Sequence, residues 1–263
     1  MNKKIKKIQN KKNKSKIVSL TAYSKTISKI LDKYCDITLV GDSMANVLYG
    51  LKDTHTLSLQ TVIDHSLSVK RGLKKSLLVV DMPKNTYQNK KSAFKNASKI
   101  KKITKCDAVK IESNMRNSNI IRELVKKNIP VMGHIGYTPQ FKKKFKIEGD
   151  TPEKQKRLLK EALLIEKYGA FSIVLECVSA KCSKLITKSL KIPTIGIGSS
   201  HHCDGQILVT DDMLGLSGFY PKFVKKYSNL NRVIEKAVKK YTRDVKLNKF
   251  PSRKNFLNGP ASR

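Results

Sequence analysis

Aromatic side chains are scarce, at 6% of 263 residues, and acidic residues number 20 against 55 Lys and Arg. No apolar run approaches the roughly 18 residues that cross a bilayer. The N-terminus is Lys-rich without an apolar core, which excludes a secretory signal and points to a soluble cytoplasmic protein. The five cysteines (Cys35, Cys106, Cys177, Cys182 and Cys203) are odd in number and contain no CxxC pair. A disulfide framework and a structural zinc site are therefore both unexpected. The His201–Asp204 stretch (HHCD) is no better a zinc site, because adjacent histidines rarely reach one metal and the thiol lacks a second Cys at ligand spacing. The net charge of +35 is mostly lysine, spread from end to end with few aromatics between. That pattern fits an A/T-rich coding composition better than a nucleic-acid site, and no specific nucleic-acid partner is expected, although the charge should steer anionic substrates.

Residues 1–16 form a Lys/Asn run without periodicity and read as a disordered tail, leaving a single domain over 17–263. Eight continuous apolar runs follow: 17–22, 37–42, 76–82, 108–112, 130–136, 171–178, 193–198 and 206–213. Unbroken rather than alternating hydrophobicity suits strands buried on both faces of a parallel sheet. Amphipathic stretches lie between them. Thr151 to Tyr168 opens with a cap residue and Pro, sets Leu158, Leu159, Ala162, Leu163 and Ile165 on one face, and stops at Gly169. Ser58 to Arg71 and Lys90 to Lys102 read the same way. Eight strands with intervening helices predict a (β/α)₈ TIM barrel; the runner-up, a Rossmann-like sheet, lacks a GxGxxG after the first strand.

Barrel enzymes place their chemistry at the C-terminal strand ends. Here those ends carry Asp42, Asp81, Glu112, His134 and Glu176. One acidic residue at such a place is an ordinary helix cap or loop residue, but several on successive strands must converge on one rim. Clustered carboxylates repel unless a cation or a shared proton intervenes, and Asp42, Asp81 and Glu112 suit a hard divalent ion, most simply Mg²⁺. Lys110 lies two residues before Glu112 and points to the same side, where it needs an anionic partner. Glu176 could act as a general base, whereas His134 read alone is a core histidine.

These residues lie within longer strings: SLTAYS at Ser19, LVGDSMANVLYG at Leu39, VVDMP at Val79, VKIE at Val109, IPVMGHIGYTPQ at Ile129, GAFSIVLECV at Gly169, IPTIGIG at Ile192 and CDGQILVTDDMLGL at Cys203. In that order they resemble the ketopantoate hydroxymethyltransferase family, from about Ile17 to Tyr227, with FPSRKNF at Phe250 similar to its ending. The resemblance implies a (β/α)₈ barrel assembling into a homo-oligomer, usually a decamer. It implies transfer of a hydroxymethyl group from 5,10-methylenetetrahydrofolate to 3-methyl-2-oxobutanoate, giving 2-dehydropantoate for pantothenate synthesis through a Mg²⁺-stabilised enolate. Asp42, Asp81 and Glu112 would hold the metal, and Asp42, Ser43, Asp81, Lys110 and His134 would line the substrate site. Ser43 and Lys110 would bind the 2-oxo acid, with Glu176 as proton acceptor. Four places depart from the family pattern. Ser113-Asn114 replaces Gly-Gly, DMPKNTY replaces DLPFGSY, FKKKFKIEGD replaces a Gly-rich loop, and Ser200 replaces a glycine.

Overall fold

The computed structural model describes residues 2–142, 145–218 and 220–256; the last seven residues of the expected domain and part of the FKKKFKIEGD loop lie outside them. The expected runs become eight parallel strands: β1 (Ile17–Thr21), β2 (Ile37–Val40), β3 (Leu77–Asp81), β4 (Ala108–Glu112), β5 (Val131–Gly136), β6 (Ser172–Glu176), β7 (Thr194–Ile197) and β8 (Gly205–Leu208). They pair in chain order and β8 closes on β1, so the sheet is a barrel and the open Rossmann-like alternative is excluded.

The helices, in chain order, are α1 (Lys3–Gln9), α2 (Lys25–Leu31), α3 (Met44–Val47), α4 (Leu59–Lys70), α5 (Lys90–Thr104), α6 (Asn119–Lys126), α7 (Pro152–Lys167), α8 (Ala180–Ser189), α9 (Thr210–Leu214) and α10 (Leu230–Lys246). Local chemistry sets their starts. The Thr151 hydroxyl accepts from Lys154 N–H ahead of Pro152, Ser58 caps α4, and Asn89 and Ser92 form a reciprocal capping box at α5. The eighth apolar run splits in two. Thr210 N–H and hydroxyl bond to Thr21 hydroxyl and carbonyl, which ends β8 and leaves Asp211 and Asp212 in the first turn of α9.

Side chains alternate across each strand, so one set fills the barrel. The lower interior is apolar, with Ile37, Leu77, Val79, Ala108, Met132 and Val174 in one cluster. Continuing by twos along the same faces leads to Asp81, to Lys110 and Glu112, to His134 and to Glu176. The period that packs the core therefore delivers the charged groups to its upper end.

The expected disordered tail is corrected by the structure. Residues 3–9 form α1, which seals the barrel bottom. Ile5 and Ile8, each 2% exposed, share the interior cluster with Ile17 and Ile207. Two isoleucines three apart give one apolar stripe, the Asn2 side chain caps the helix, and Lys12 pairs with Asp204 at 2.8 Å. At the opposite extreme, no residue of α10 is buried, and Ile234, Val238, Tyr241 and Val245 make an exposed apolar stripe along it. Val18 and Gln206, register partners on β1 and β8, are also exposed on the outside of the barrel. Among the described residues no helix is long and apolar enough to cross a membrane.

If α1 is a plug, Ile5→Ala should cost about 2–4 kcal/mol of unfolding free energy. Urea denaturation measures this, and a change below about 0.5 kcal/mol would mean that the helix is dispensable packing.

Candidate active site

The barrel brings together every residue singled out at the strand ends. Asp81 is register partner of Lys110, Glu112 of His134, and Gly136 of Glu176. Lys110 Nζ donates to Asp81 Oδ1 at 2.5 Å, and Asp42 N–H donates to Asp81 Oδ2 at 3.2 Å. His134 stands between two carboxylates, with Nε2 3.2 Å from Glu176 Oε2 and Nδ1 3.8 Å from Glu112 Oε1. Neither approach has hydrogen-bond alignment, so both ring nitrogens and Glu112 Oε1 are buried without a partner. Three orphaned polar atoms around one imidazole mark space that a polar ligand would fill.

Among the described residues, four carboxylates thus face the ammonium of Lys110 at the barrel mouth. Burial pushes Glu112 well above its usual range, and Asp42 adds to the shift. Burial also raises Asp81, against the opposing pull of Lys110. Glu176, whose side chain is 18% exposed, is pushed up to about 8 by burial, offset in part by Lys110. Burial works against the Lys110 charge too, but Asp81, Asp42 and Glu112 outweigh it and hold the ammonium above the ordinary lysine value. Burial and nearby Lys110 keep the His134 imidazole neutral.

The donors are oxygens and their charge is in excess, which fits a hard divalent cation. Among the described residues, however, no three acidic, His or Cys side chains converge into a ready ligating group. An ion here would take some of its shell from water and substrate, as Mg²⁺ usually does.

Three further residues at the site carried no role in the sequence reading. Gln140, fully buried, donates through Nε2 to Asp42 Oδ2 at 2.8 Å and to the Met82 carbonyl at 3.1 Å, while its N–H donates to Glu112 Oε2 at 3.0 Å. Tyr87 donates to Gln140 Oε1 at 2.5 Å, which fixes the amide so that its NH₂ faces Asp42. Tyr23 holds the Ser43 hydroxyl at 2.9 Å. All three lie in the TPQ, DMPKNTY and SLTAYS strings, the only signal the sequence offers for them.

The backbone aims Glu176. Gly136 has φ +98°, and a Cβ there would stand 2.2 Å from the Glu176 carbonyl, so β5 and β6 approach closely only with glycine. Cys177, directly after Glu176, takes the left-handed φ of 52°, an uncommon conformation for a residue with a Cβ. The departures from the family pattern are accommodated. Asn85 adopts φ 69° where the family has glycine, and asparagine tolerates that region. Ser113, Asn114 and Ser200 keep negative φ. The five cysteines are free and buried.

Lys110→Met removes the ammonium from this cluster and should destabilise the metal-free protein by about 3–5 kcal/mol at neutral pH. Because the buried carboxylates have raised pKa values, acid protonates them and relieves the repulsion; the gap from wild type should shrink as pH falls. Thermal unfolding in EDTA across pH reads this, and a pH-independent gap would contradict it.

The comparisons with known proteins agree with this geometry. The family model described as ketopantoate hydroxymethyltransferase matches residues 2–253, so the match includes α1. The 3-methyl-2-oxobutanoate hydroxymethyltransferase of Pelagibacter ubique (strain HTCC1062) is 52% identical over 255 residues, covering 97% of this chain and 99% of its own. That of Anaplasma marginale (strain Florida) is 44% identical over 257 residues, covering 96% and 93%. Among solved structures, a phosphonopyruvate hydrolase complexed with oxalate and Mg²⁺ superposes with TM-score 0.61 at 12% identity, over 96% of this chain and 93% of that one. A 2,3-dimethylmalate lyase of the PEP mutase/isocitrate lyase superfamily gives TM-score 0.61 at 12% identity, over 98% and 93%. These two share the fold. From the barrel, the clustered strand-end residues and relatives matched over nearly their whole length, the chain belongs to the ketopantoate hydroxymethyltransferase family, a family of enzymes.

Proposed function

We propose that this enzyme transfers a hydroxymethyl group to 3-methyl-2-oxobutanoate from 5,10-methylenetetrahydrofolate, forming 2-dehydropantoate and tetrahydrofolate with uptake of one water. The observation that carries the reading is the division of the acidic cluster. Asp42, Asp81 and Glu112 surround Lys110, while Glu176 stands apart beyond His134.

Asp42 and Asp81, with Glu112 nearby, would hold a divalent cation, Mg²⁺ by preference for oxygen donors. When bound, the cation supplies Lewis-acid polarisation of the 2-oxo group. The remaining work falls to the chain. Lys110 offers its ammonium to the substrate carboxylate and to the charge that develops as the C3 proton leaves. Ser43, steadied by Tyr23, offers a hydroxyl to the same 2-oxo acid. Glu176 accepts the C3 proton, and the neutral His134 beside it adds no competing charge. The carbon so freed forms its bond to the one-carbon unit as the two C–N bonds to the folate break, water supplying the hydroxyl group and the folate nitrogens taking up the C3 proton and the second proton of the water. Gln140 holds both Asp42 and Glu112 and so fixes the spacing of the set.

Copies of the chain would assemble through α10, whose exposed apolar stripe has no cover among the described residues. The strands around Val18 and Gln206 give a matching uncovered patch.

A folate-dependent assay with 3-methyl-2-oxobutanoate should form 2-dehydropantoate and lose that activity in EDTA; formation unaffected by chelation would refute the cation. Glu176 works deprotonated, so kcat/KM should fall as pH drops through its pKa. Burial, offset in part by Lys110, puts that value at about 8, and a bound cation would lower it. The acid limb should therefore lie more than one unit above the ordinary glutamate value of about 4.3. A limb at the ordinary value would contradict the buried base. Val238→Glu should reduce the mass seen by light scattering, and an unchanged mass would remove α10 from the assembly.

A further inference from the structure

An aromatic platform flanks the end of β6, where Glu176 stands, built from three segments that the chemistry above does not use. Glu176 ends β6, and its register partners on either side are Gly136 of β5 and Ile197 of β7. On the β5 side the next residue, Tyr137, donates its N–H to the Glu176 carbonyl at 2.8 Å. On the β7 side the next residue is Gly198, with φ +58°, and a Cβ there would stand 2.7 Å from the ring of Phe223, so that ring rests directly on the strand end. Phe145 bridges the two. Its ring centroid is 5.3 Å from Tyr137, edge to face, and 6.5 Å from Phe223 at an interplanar angle of 19°. The Phe145 segment is tied down by Glu148, whose N–H donates to the Cys177 carbonyl at 2.9 Å and which bridges to Val178. The rings therefore span the end of β6 from both flanking strands.

Phe145 is nevertheless 56% exposed in a chain with only 6% aromatic residues. Two nearly parallel rings near the long end of the stacking range present broad faces to a flat π-system. The one-carbon donor must bring its methylene group to the carbon whose proton Glu176 takes, so its carrier has to lie above Glu176. That carrier has a planar bicyclic ring and an anionic tail, and exposed Lys146 and Lys222 directly follow and precede the two phenylalanines. We propose that Phe145 and Phe223 form the binding site for the pteridine ring of the reduced-folate co-substrate. This assignment rests on the hydroxymethyl-transfer reading above.

Phe145→Ala and Phe223→Ala test it, with Phe145→Tyr as the variant that keeps a ring. Titration calorimetry with tetrahydrofolate, steady-state kinetics, and exchange of the C3 proton of 3-methyl-2-oxobutanoate without folate are the readouts. Both alanine variants should weaken tetrahydrofolate binding and raise the KM for methylenetetrahydrofolate by about tenfold or more. The C3 exchange and the KM for the 2-oxo acid should stay within about twofold of wild type, and Phe145→Tyr should restore folate affinity. Unchanged tetrahydrofolate binding in both alanine variants overturns the site, as does a parallel loss of C3 exchange, which would make the rings a cover for the base. A changed oligomer mass with folate affinity intact also overturns it, assigning the rings to an interface. A wild type that exchanges C3 but never transfers refutes the activity itself; folate binding lost only in the variants separates that case from failure of the site.

Discussion

Excess negative charge in a buried place is the constraint on which the rest of the site depends. Asp42, Asp81 and Glu112 are buried side by side with Glu176 nearby, and Lys110 is the ammonium that reaches them. Such a group cannot remain fully ionised without help, because burial and mutual repulsion both favour protonation. Burial and the neighbouring charge of Asp42 accordingly shift the carboxyl groups of Asp81, Glu112 and Glu176 upward. A divalent cation together with an anionic, chelating substrate would relieve the repulsion. Under the proposed reading Asp42, Asp81 and Glu112 would hold the cation, and Glu176, on the far side of the His134 imidazole, would be the carboxylate left to take a proton.

The barrel maintains that imbalance by geometry. The alternation that stacks Leu77 and Val79, or Ala108, along the interior places Asp81, or Lys110 and Glu112, above them on the same faces. The apolar floor, sealed by Ile5 and Ile8, fixes the height at which the charges sit. Gln140 and Tyr87 then hold the carboxylates laterally through an amide whose orientation is determined by a phenol. None of these supports reacts with anything, and each limits where the charges can go.

The strands were legible because both of their faces are buried, so apolar runs such as LLVV at Leu77 and SIVLE at Ser172 stand out against a lysine-rich background. The acidic strand ends were legible because several carboxylates closing successive apolar runs are hard to read as separate caps or loop residues. Their separate roles came from resemblance. The helix α1 was hidden because its two isoleucines are diluted by lysines, and only the open floor of the barrel gives them a partner. Gln140 was hidden for another reason: a neutral amide carries no signature, and its contact with Asp42 joins residues 98 apart in the chain. The turn from β8 into α9 was missed because QILVTDDM is apolar at one end and acidic at the other, and the pairing of Thr210 with Thr21 of β1 decides where it breaks.

The central claim is that Glu176 removes the C3 proton of a 2-oxo acid held over the buried acidic cluster. Loss of deuterium exchange at C3 of 3-methyl-2-oxobutanoate, followed by NMR with Mg²⁺ and without folate, tests it most directly. Wild type should exchange, and Glu176→Gln, which keeps the shape and removes the base, should exchange more slowly by about 10² to 10⁴. Exchange by Glu176→Gln at the wild-type rate would contradict the account.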